Sequence, residues 1–234
     1  MEGLHPSGID TETASLFPAS FQVSSIGKIP KGWKIGVVEN LGEVICGKTP
    51  PTSDKSNYGN EVPFITIPDM HGKVFIINTD RYLSSKGVQT QPSKTIPKYS
   101  ICVSCIASPG IVTITSQMSQ TNQQINTVIP TEKNTSFFCY WILRELSNEI
   151  KVRGSGGSVT LNLNKTQFSK LPVLLPSIQL MMRYHKMAEP LFQTILLNEE
   201  QNLTLAAIRD SLLPKLLSGE IRVKEAEKYV ETHI

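Results

Sequence analysis

The strongest constraint on the fold is a helical segment near the C-terminus that the rest of the chain is too small to cover. After residues 171–176, apolar side chains recur at spacings of three and four to about residue 217, which is the period of an amphipathic α-helix. About 40 residues at ~1.5 Å each give a helix of roughly 60 Å. A head of about 150 residues cannot cover that length. Part of the apolar face of the helix must therefore pack against something other than the head.

One face of this segment resembles a coiled-coil seam with two polar positions, and polar seam residues often set register and partner number. The seam consists of Leu191, Ile195, Asn198, Asn202, Leu205, Ile208 or Arg209, and Leu212. The alternative is that the same face packs onto the head as ordinary core. Pro190 predicts a kink or a new helix start, Pro214 a second kink or an end, and Gly219 a cap.

The preceding residues carry short β-branched runs separated by turn residues, which indicates a twisted β assembly. The runs are residues 62–67, 74–77, 101–107, 111–114 and 125–129, and one helical pattern spans 137–151. The predicted fold class is α+β: a β-rich head with a few helices, then a long helix that pairs as a coiled coil. The predicted divisions are a leader or linker at 1–28, the head at 29–175, the helix at 176–218 and a tail at 219–234.

The segment 47–59, GKTPPTSDKSNYG, predicts a long exposed loop, because the Pro-Pro pair prevents a regular element. Loops of this length in a compact head are usually functional or mobile. Its polar side chains are Lys48, Thr49, Ser53, Lys55, Asn57 and Tyr58. We expect a binding function to be concentrated there.

Charge gives only a weak indication of the partner. The net charge is +3 for 234 residues. Residues 47–98 hold seven Lys and Arg against four Asp and Glu, and residues 144–170 hold five against two. This bias suits a polyanion, although charge alone favours an ordinary solvated surface.

No catalytic or metal site is predicted. The four histidines are scattered, and His185 is expected to be solvated on a helix. The glycine-rich turn at 154–158 could cradle a phosphate, but it lacks the Gly-Lys-Ser/Thr ending of a P-loop, which argues against ATP or GTP. The four cysteines read as reduced core residues, because Cys46 and Cys139 lack zinc-ligand spacing. Neither a signal peptide nor a membrane span is predicted, so the expected location is the cytoplasm.

Several motifs occur in an order that names a family. IPKGW, LGEV, GKTP, a Tyr-Gly and PFITIPDM open the head, and QTNQQINTVIP follows. GSGGSVTLNLNKTQFSKLPVLLPSIQ leads into the helix and RDSLLPKLLSGEI closes it. Across about residues 24–223, the chain resembles the specificity subunit of Type I restriction–modification enzymes. That subunit has two recognition domains and two long helices, and this chain has one of each, so it resembles a half-subunit.

The resemblance implies that the head is a DNA target-recognition domain that reads one half of a bipartite site in double-stranded DNA. Methyltransferase and restriction subunits would supply the catalysis. No cofactor is expected in this chain, with S-adenosylmethionine, ATP and Mg expected in those partners. A homodimer of half-subunits, paired through the helix, would read a two-fold symmetric split site.

The residues expected to contact DNA lie mainly in the 47–59 loop. They are Lys48, Thr49, Lys55, Asn57, Tyr58, Lys73, Arg81, Arg153 and Ser155. Lys and Arg would pair with phosphates or guanine edges, and Asn57 could read adenine. Asn122 and Gln123 are expected to be structural. Two alternatives stay open: a protein–protein adaptor or anti-restriction module that uses the helical arm, and an independent enzyme.

Overall fold

The computed structural model describes residues 9–155 and 163–232. Its strands are β1 (Phe21–Ser24), β2 (Gly27–Pro30), β3 (Lys34–Val37), β4 (Gly42–Cys46), β5 (Tyr58–Gly59), β6 (Val62–Ile65), β7 (Phe75–Ile76), β8 (Tyr82–Leu83), β9 (Thr95–Ile96), β10 (Ile101–Ser104), β11 (Val112–Thr115), β12 (Ser119–Thr121), β13 (Ile125–Pro130) and β14 (Pro172–Leu175). Its α-helices are α1 (Thr11–Ser15), α2 (Ile67–Met70), α3 (Ser85–Gln89), α4 (Ser136–Glu145), α5 (Ser147–Ser155), α6 (Lys165–Ser169), α7 (Ile178–Leu217) and α8 (Val223–Glu231). Short 3-10 turns lie at Val38–Asn40, Lys55–Asn57, Pro92–Lys94 and Lys133–Thr135.

Contacts within the chain divide it into two units, Met1–Phe192 and Gln193–Ile234, with the division inside α7. The first unit is α+β, as predicted from the sequence. Each of the five β-branched runs contains or overlaps a strand. The pattern at 137–151 forms two helices, α4 and α5, rather than one. Near-zero ψ at Leu146 ends α4, and the Ser147 hydroxyl beyond it donates to the Gly110 carbonyl at 2.5 Å.

The larger core sheet has the strand order β4-β13-β10-β11-β7. Its first four strands are antiparallel, and β7 joins β11 in parallel. One row of paired side chains crosses the whole sheet: Val44, Val128, Ile101, Ile114 and Phe75. All five are buried. Every residue of β10 and β11 is buried, including those that point to the opposite face, so the sheet is buried on both sides there.

The second sheet has the order β5-β8-β6-β12-β9 and is built from strands of two to four residues. An apolar cluster joins it to the opposite face of the first sheet. Ile65 and Ile96 of the second sheet pack there with Ile45, Cys102 and Ile125 of the first. The two sheets therefore share one core.

The entrance and exit of the head lie side by side. Strand β14 pairs antiparallel with β3, so that Val173 lies opposite Gly36. The Val38 amide beyond β3 donates to the Leu171 carbonyl at 3.0 Å. The IPKGW and LPVLLP motifs therefore flank one two-stranded ladder, which closes the head before α7 begins.

A stack of aromatic rings holds the first turns of α7 against the head. The Phe137 ring lies between His185 at 4.5 Å and Phe192 at 4.2 Å, both nearly parallel to it. Phe75 from the sheet meets Phe192 edge-on at 6.2 Å. His185 is buried, and this burial lowers its pKa. The expectation of a solvated His185 was therefore wrong, because α7 turns that side of the helix onto α4.

The N-terminal segment is more structured than predicted. Its described part, residues 9–28, contains α1 and most of the β1–β2 hairpin. Arg183 of α7 donates to the Thr13 hydroxyl at 2.7 Å and forms an ion pair with Asp10 at 3.0 Å. Hydrogen bonds from Thr13 and then Arg183 lower the pKa of Asp10 to about 2. The helix α1 was not predicted, because its sequence is polar and has no apolar period. Local capping and contacts with α7 hold it instead.

Helix α7 runs for 40 residues, close to the predicted span of 176–218. It continues through Pro190 and Pro214, so Pro214 does not end it. Two predicted seam residues, Leu191 and Leu205, are exposed hydrophobics. Both seam asparagines are exposed, and the remaining members, Ile195, Ile208 and Leu212, are half-buried.

The predicted tail contains a helix instead. Gly219, at φ +75°, ends the preceding helix in the left-handed conformation, and α8 follows. The last turns of α7 and one face of α8 line an apolar groove of about 530 Å³, with Ile208 and Leu212 on one wall and Val223 and Ala226 on the other. The end of the predicted seam therefore borders α8.

Replacing Phe137 with alanine should destabilise the first unit by about 3–5 kcal/mol, because it removes a buried ring and leaves a cavity between two stacked partners. Chemical denaturation would measure the change. The matched control is Phe21→Ala, whose ring is 69% exposed and whose loss should cost less than about 0.5 kcal/mol. Equal losses in the two variants would contradict the role given to the stack.

Candidate nucleic-acid interface

The 47–59 loop leaves the end of β4 in close contact with the segment that connects β12 to β13. The Gly47 amide donates to the Ile125 carbonyl at 3.1 Å and the Lys48 amide to the Thr121 carbonyl at 2.9 Å. A Cβ at residue 47 would lie 2.2 Å from the Asn122 carbonyl oxygen. Only glycine allows this approach, so the first residues of the loop have a fixed path.

Two glutamines hold the next residues. The Gln123 side-chain oxygen accepts from the Thr49 hydroxyl at 2.6 Å. The buried Gln91 amide donates to the Lys48 carbonyl at 2.6 Å. The backbone N–H of Lys48 is bound to Thr121 and its backbone carbonyl to Gln91. Its side chain is exposed.

The far end of the loop is held from within and by the residues around α3. The side-chain amide of Asn57 donates to the Pro51 carbonyl at 3.1 Å, and the Tyr58 hydroxyl donates to the Pro50 carbonyl at 3.2 Å. The Ser84 amide donates to the Asn57 carbonyl at 3.0 Å. These bonds fold the Pro-Pro segment back onto the end of the loop.

An ion pair between Lys86 and Asp54 at 2.9 Å links α3 to the loop. The Lys86 ammonium, followed by Ser56, lowers the pKa of Asp54 to about 2. Asp54 is therefore ionised at every pH near neutrality. Lys86 adds little free positive charge to this surface, because Asp54 balances it.

The structure brings the five predicted loop residues together but gives them different roles. Lys48 and Lys55 are exposed, and neither forms an ion pair within residues 9–155 and 163–232. Thr49 and Tyr58 are half-buried and hydrogen-bonded to the loop and its surroundings. Asn57 is 2% exposed. Its burial argues against the predicted adenine contact, because its amide is already bound to the loop backbone.

The remaining predicted residues lie on other elements. Arg81 lies over the Phe64 ring at 5.3 Å, and Tyr58 meets the same ring edge-on. Lys73 lines a depression with Arg144 that is separate from the loop residues. Arg153 forms an ion pair with Glu149 at 2.7 Å.

The glycine-rich turn falls largely outside the described residues. Ser155 is the last residue of α5, and nothing is described of its side chain. Residues 156–158, which complete the predicted turn, lie outside the described ranges. The predicted phosphate cradle therefore stays a prediction.

The sequence missed a second group of cations near the base of the loop. Burial raises the pKa of the Cys46 thiol, while the charges of Lys94 and Lys165 act to lower it. Both lysines therefore act electrostatically on the last residue of β4, which precedes Gly47. Lys94 stands in no motif, and Lys165 belongs to the motif that leads into the helix, far from the loop in sequence.

The described residues contain no group of three or more His, Cys, Asp or Glu that could hold a metal ion. Cys102, Cys105 and Cys139 are buried and free, and Cys46 is half-buried. No helix in the described part of the chain has the length and apolar character needed to cross a membrane.

The described chain therefore combines an α+β head, with two exposed lysines on its 47–59 loop, and a 40-residue helix. The chain belongs to the family of Type I restriction modification DNA specificity domains, whose model matches residues 30–206.

Relatives with curated names agree with this assignment. The chain is 44% identical over 217 residues to the Type I restriction enzyme HindI specificity subunit of Haemophilus influenzae, covering 90% of this chain and 47% of that protein. It is 29% identical over 160 residues to the MjaIX specificity subunit of Methanocaldococcus jannaschii, covering 67% of this chain and 37% of that protein. The chain therefore spans half or less of the length of these relatives.

Solved structures show the same fold. The HsdS subunit from Thermoanaerobacter tengcongensis matches with a TM-score of 0.53 and 18% identity, over 90% of this chain and 50% of that one. The S subunit of a Type I restriction–modification system from M. genitalium matches with a TM-score of 0.57 and 18% identity, over 80% and 46%.

Burial of the thiols gives a direct test of the structure at the base of the loop. Burial raises the pKa of Cys102 and Cys105 to about 12 and that of Cys139 to about 11. Burial raises the pKa of Cys46 as well, but Cys46 alone among the four is partly exposed. Because reaction needs an accessible thiolate, iodoacetamide should modify mainly Cys46 in the folded protein and all four cysteines in urea. Peptide mass spectrometry would locate the label. Equal labelling of Cys46 and Cys102 without denaturant would contradict the placement of β4 and β10.

Proposed function

We propose that this chain is a DNA-specificity component of a Type I restriction–modification system. The head reads one half of a bipartite site in double-stranded DNA, mainly through the 47–59 loop. The methyltransferase and restriction subunits carry the catalysis and bind S-adenosylmethionine, ATP and Mg, and this chain is non-catalytic. Its relatives are named specificity subunits, which supports the proposal, and the system acts on DNA in the cytoplasm.

The observation that carries the DNA-binding role is the contrast within the loop. Its backbone is bound at both ends, whereas the side chains of Lys48 and Lys55 extend into solvent without an ionic partner in the described structure. A fixed backbone that presents free cations suits phosphate contacts, which set the register of a protein on duplex DNA. Lys94 and Lys165 extend the positive charge toward β4. No observation in the described residues favours the adaptor interpretation.

The length of the match supports the half-subunit part of the proposal. One head and one long helix correspond to 47% of the HindI subunit. Two copies that pair through α7 would supply two heads related by a dyad, which prefer a palindrome. The exposed Leu191 and Leu205, with Asn198 and Asn202, are the residues proposed for that pairing.

Replacing Lys48 and Lys55 together with alanine should weaken DNA binding by the chain assembled with its methyltransferase subunit. Each lost phosphate contact reduces the slope of log K against log salt by about 1, so the double variant should lose about 2 per head. Filter binding or fluorescence anisotropy at several salt concentrations measures both quantities.

The control for this experiment is Lys28→Ala with Lys31→Ala, which removes the same charge from exposed positions at the β1–β2 hairpin. Its salt slope should stay near that of the parent protein. An unchanged slope in the loop variant, or equal losses in both variants, would remove the loop from the interface.

Methylome sequencing of a host that expresses this chain with its methyltransferase subunit tests the function as a whole. We expect methylated adenines in a split motif whose two halves are related by two-fold symmetry. An asymmetric split motif would reject pairing of identical chains while keeping DNA specificity. Absence of any new motif would reject the proposed function.

A further inference from the structure

We infer that Gln91 and Asn57 are positioning residues, whose buried amides fix the 47–59 loop in its DNA-binding conformation before DNA arrives. This inference rests on the proposed function. Gln91 is 5% exposed and Asn57 is 2% exposed. Neither can reach DNA without unfolding its surroundings, so any influence on binding must act through the loop.

The two amides make the same kind of contact at opposite ends of the loop. The Gln91 amide nitrogen donates to the Lys48 carbonyl at 2.6 Å, and the Asn57 amide nitrogen donates to the Pro51 carbonyl at 3.1 Å. In both side chains the amide oxygen is buried and has no hydrogen-bond partner in the described structure. A buried carbonyl without a partner is costly, and an apolar side chain of similar size would avoid this cost.

The orientation of each amide follows from the loop. The partner atom in each case is a carbonyl oxygen, which only accepts hydrogen bonds. Rotating the Gln91 amide by half a turn would place two oxygens together and lose the bond to Lys48. The loop contact therefore dictates which end of the amide faces inward, and the unpaired oxygen is its consequence.

Gln120 fixes Gln91 in turn. It is fully buried in β12, and its side-chain oxygen accepts from the Gln91 amide nitrogen at 2.9 Å. The Gln120 amide nitrogen donates to the Thr95 hydroxyl at 2.9 Å and to the backbone carbonyl oxygen of Gln91 at 3.3 Å. Both hydrogens of the Gln91 amide are thus committed, one to the loop and one to the core. A chain of amides therefore connects Lys48 to strand β12 of the second sheet.

The segment around α3 connects the two ends of the loop. Gln91 lies just beyond its C-terminal end, and Ser84 at its N-terminus binds the Asn57 carbonyl with its amide. A Cβ at Gly87 would lie 1.9 Å from the same carbonyl oxygen, so the helix lies directly against the loop. Residues 84–91 therefore set the separation between the part of the loop bearing Lys48 and the part bearing Lys55.

The test is Gln91→Met, which keeps the length of the side chain and removes its hydrogen bonds, in the chain assembled with its methyltransferase subunit. The control is Gln89→Met, the same substitution at an exposed position two residues earlier. Hydrogen–deuterium exchange without DNA is the first readout. Exchange should accelerate in the peptide that contains residues 47–59 and stay unchanged in peptides from β10 and β13.

The second readout is the affinity for a duplex that contains the motif found by methylome sequencing, compared with the affinity for a scrambled duplex. Loss of preorganisation should weaken binding to the motif by about tenfold or more, while binding to the scrambled duplex, which depends on charge, changes little. A purely structural role would instead lower the melting temperature and weaken both. Gln91→Asn, which keeps the amide but is one methylene shorter, should show the same selective loss and provides the test if the methionine variant does not fold.

Unchanged motif affinity and unchanged exchange in the loop would overturn the inference while leaving the proposed function intact. The same holds if both duplexes lose affinity equally. If the parent assembly itself does not prefer the motif over the scrambled duplex, the proposed function fails instead. The two failures are therefore distinguishable in one set of measurements.

Discussion

The contact between the backbone at Gly47 and the segment 121–125 fixes where the 47–59 loop begins. Strand β12 ends at Thr121 in the second sheet, and β13 begins at Ile125 in the first. The segment between them is the point where the chain passes from one sheet to the other. Because the loop starts on this crossing, its position depends on both sheets and on the core between them.

This arrangement shows what holds a long loop in one path. A loop of this length would ordinarily pay a substantial entropy cost on ordering. Here the cost is offset by backbone bonds at its start, two buried amides and the ion pair that links it to α3. The side chains of Lys48 and Lys55 stay exposed on this bound backbone, so under the proposed function they could meet phosphates without moving it.

The sequence predicted the elements that follow a simple period. The β-branched runs that contain or overlap β6, β10, β11 and β13, and the helix α7, were recognisable from composition, period and length. The rest of the second sheet was not, because β5, β8 and β9 have two residues each and β12 is the polar tripeptide Ser-Gln-Thr. No period exists in two residues, so tertiary contacts alone define these strands.

The candidate site divides in the same way. The composition of the 47–59 loop predicted that Lys48 and Lys55 are exposed, since the proline pair and the polar residues around it indicate a surface loop. The inward orientation of Asn57 was not visible, because a loop asparagine has the same chemistry whether it faces DNA or its own backbone. Gln91, Lys94 and Lys165 were missed because they lie 32 or more residues away from Gly59 and only the fold brings them close.

The charge distribution limits how such a head can recognise DNA. Several of its cations are balanced by neighbours, as in the pairs of Lys86 with Asp54 and Arg153 with Glu149. Under the proposed function, a head with few unpaired cations would neutralise few phosphates, so its non-specific attraction to DNA would be weak. Its selectivity would then depend on contacts placed before binding, and a loop held by the buried amides of Gln91 and Asn57 would supply them.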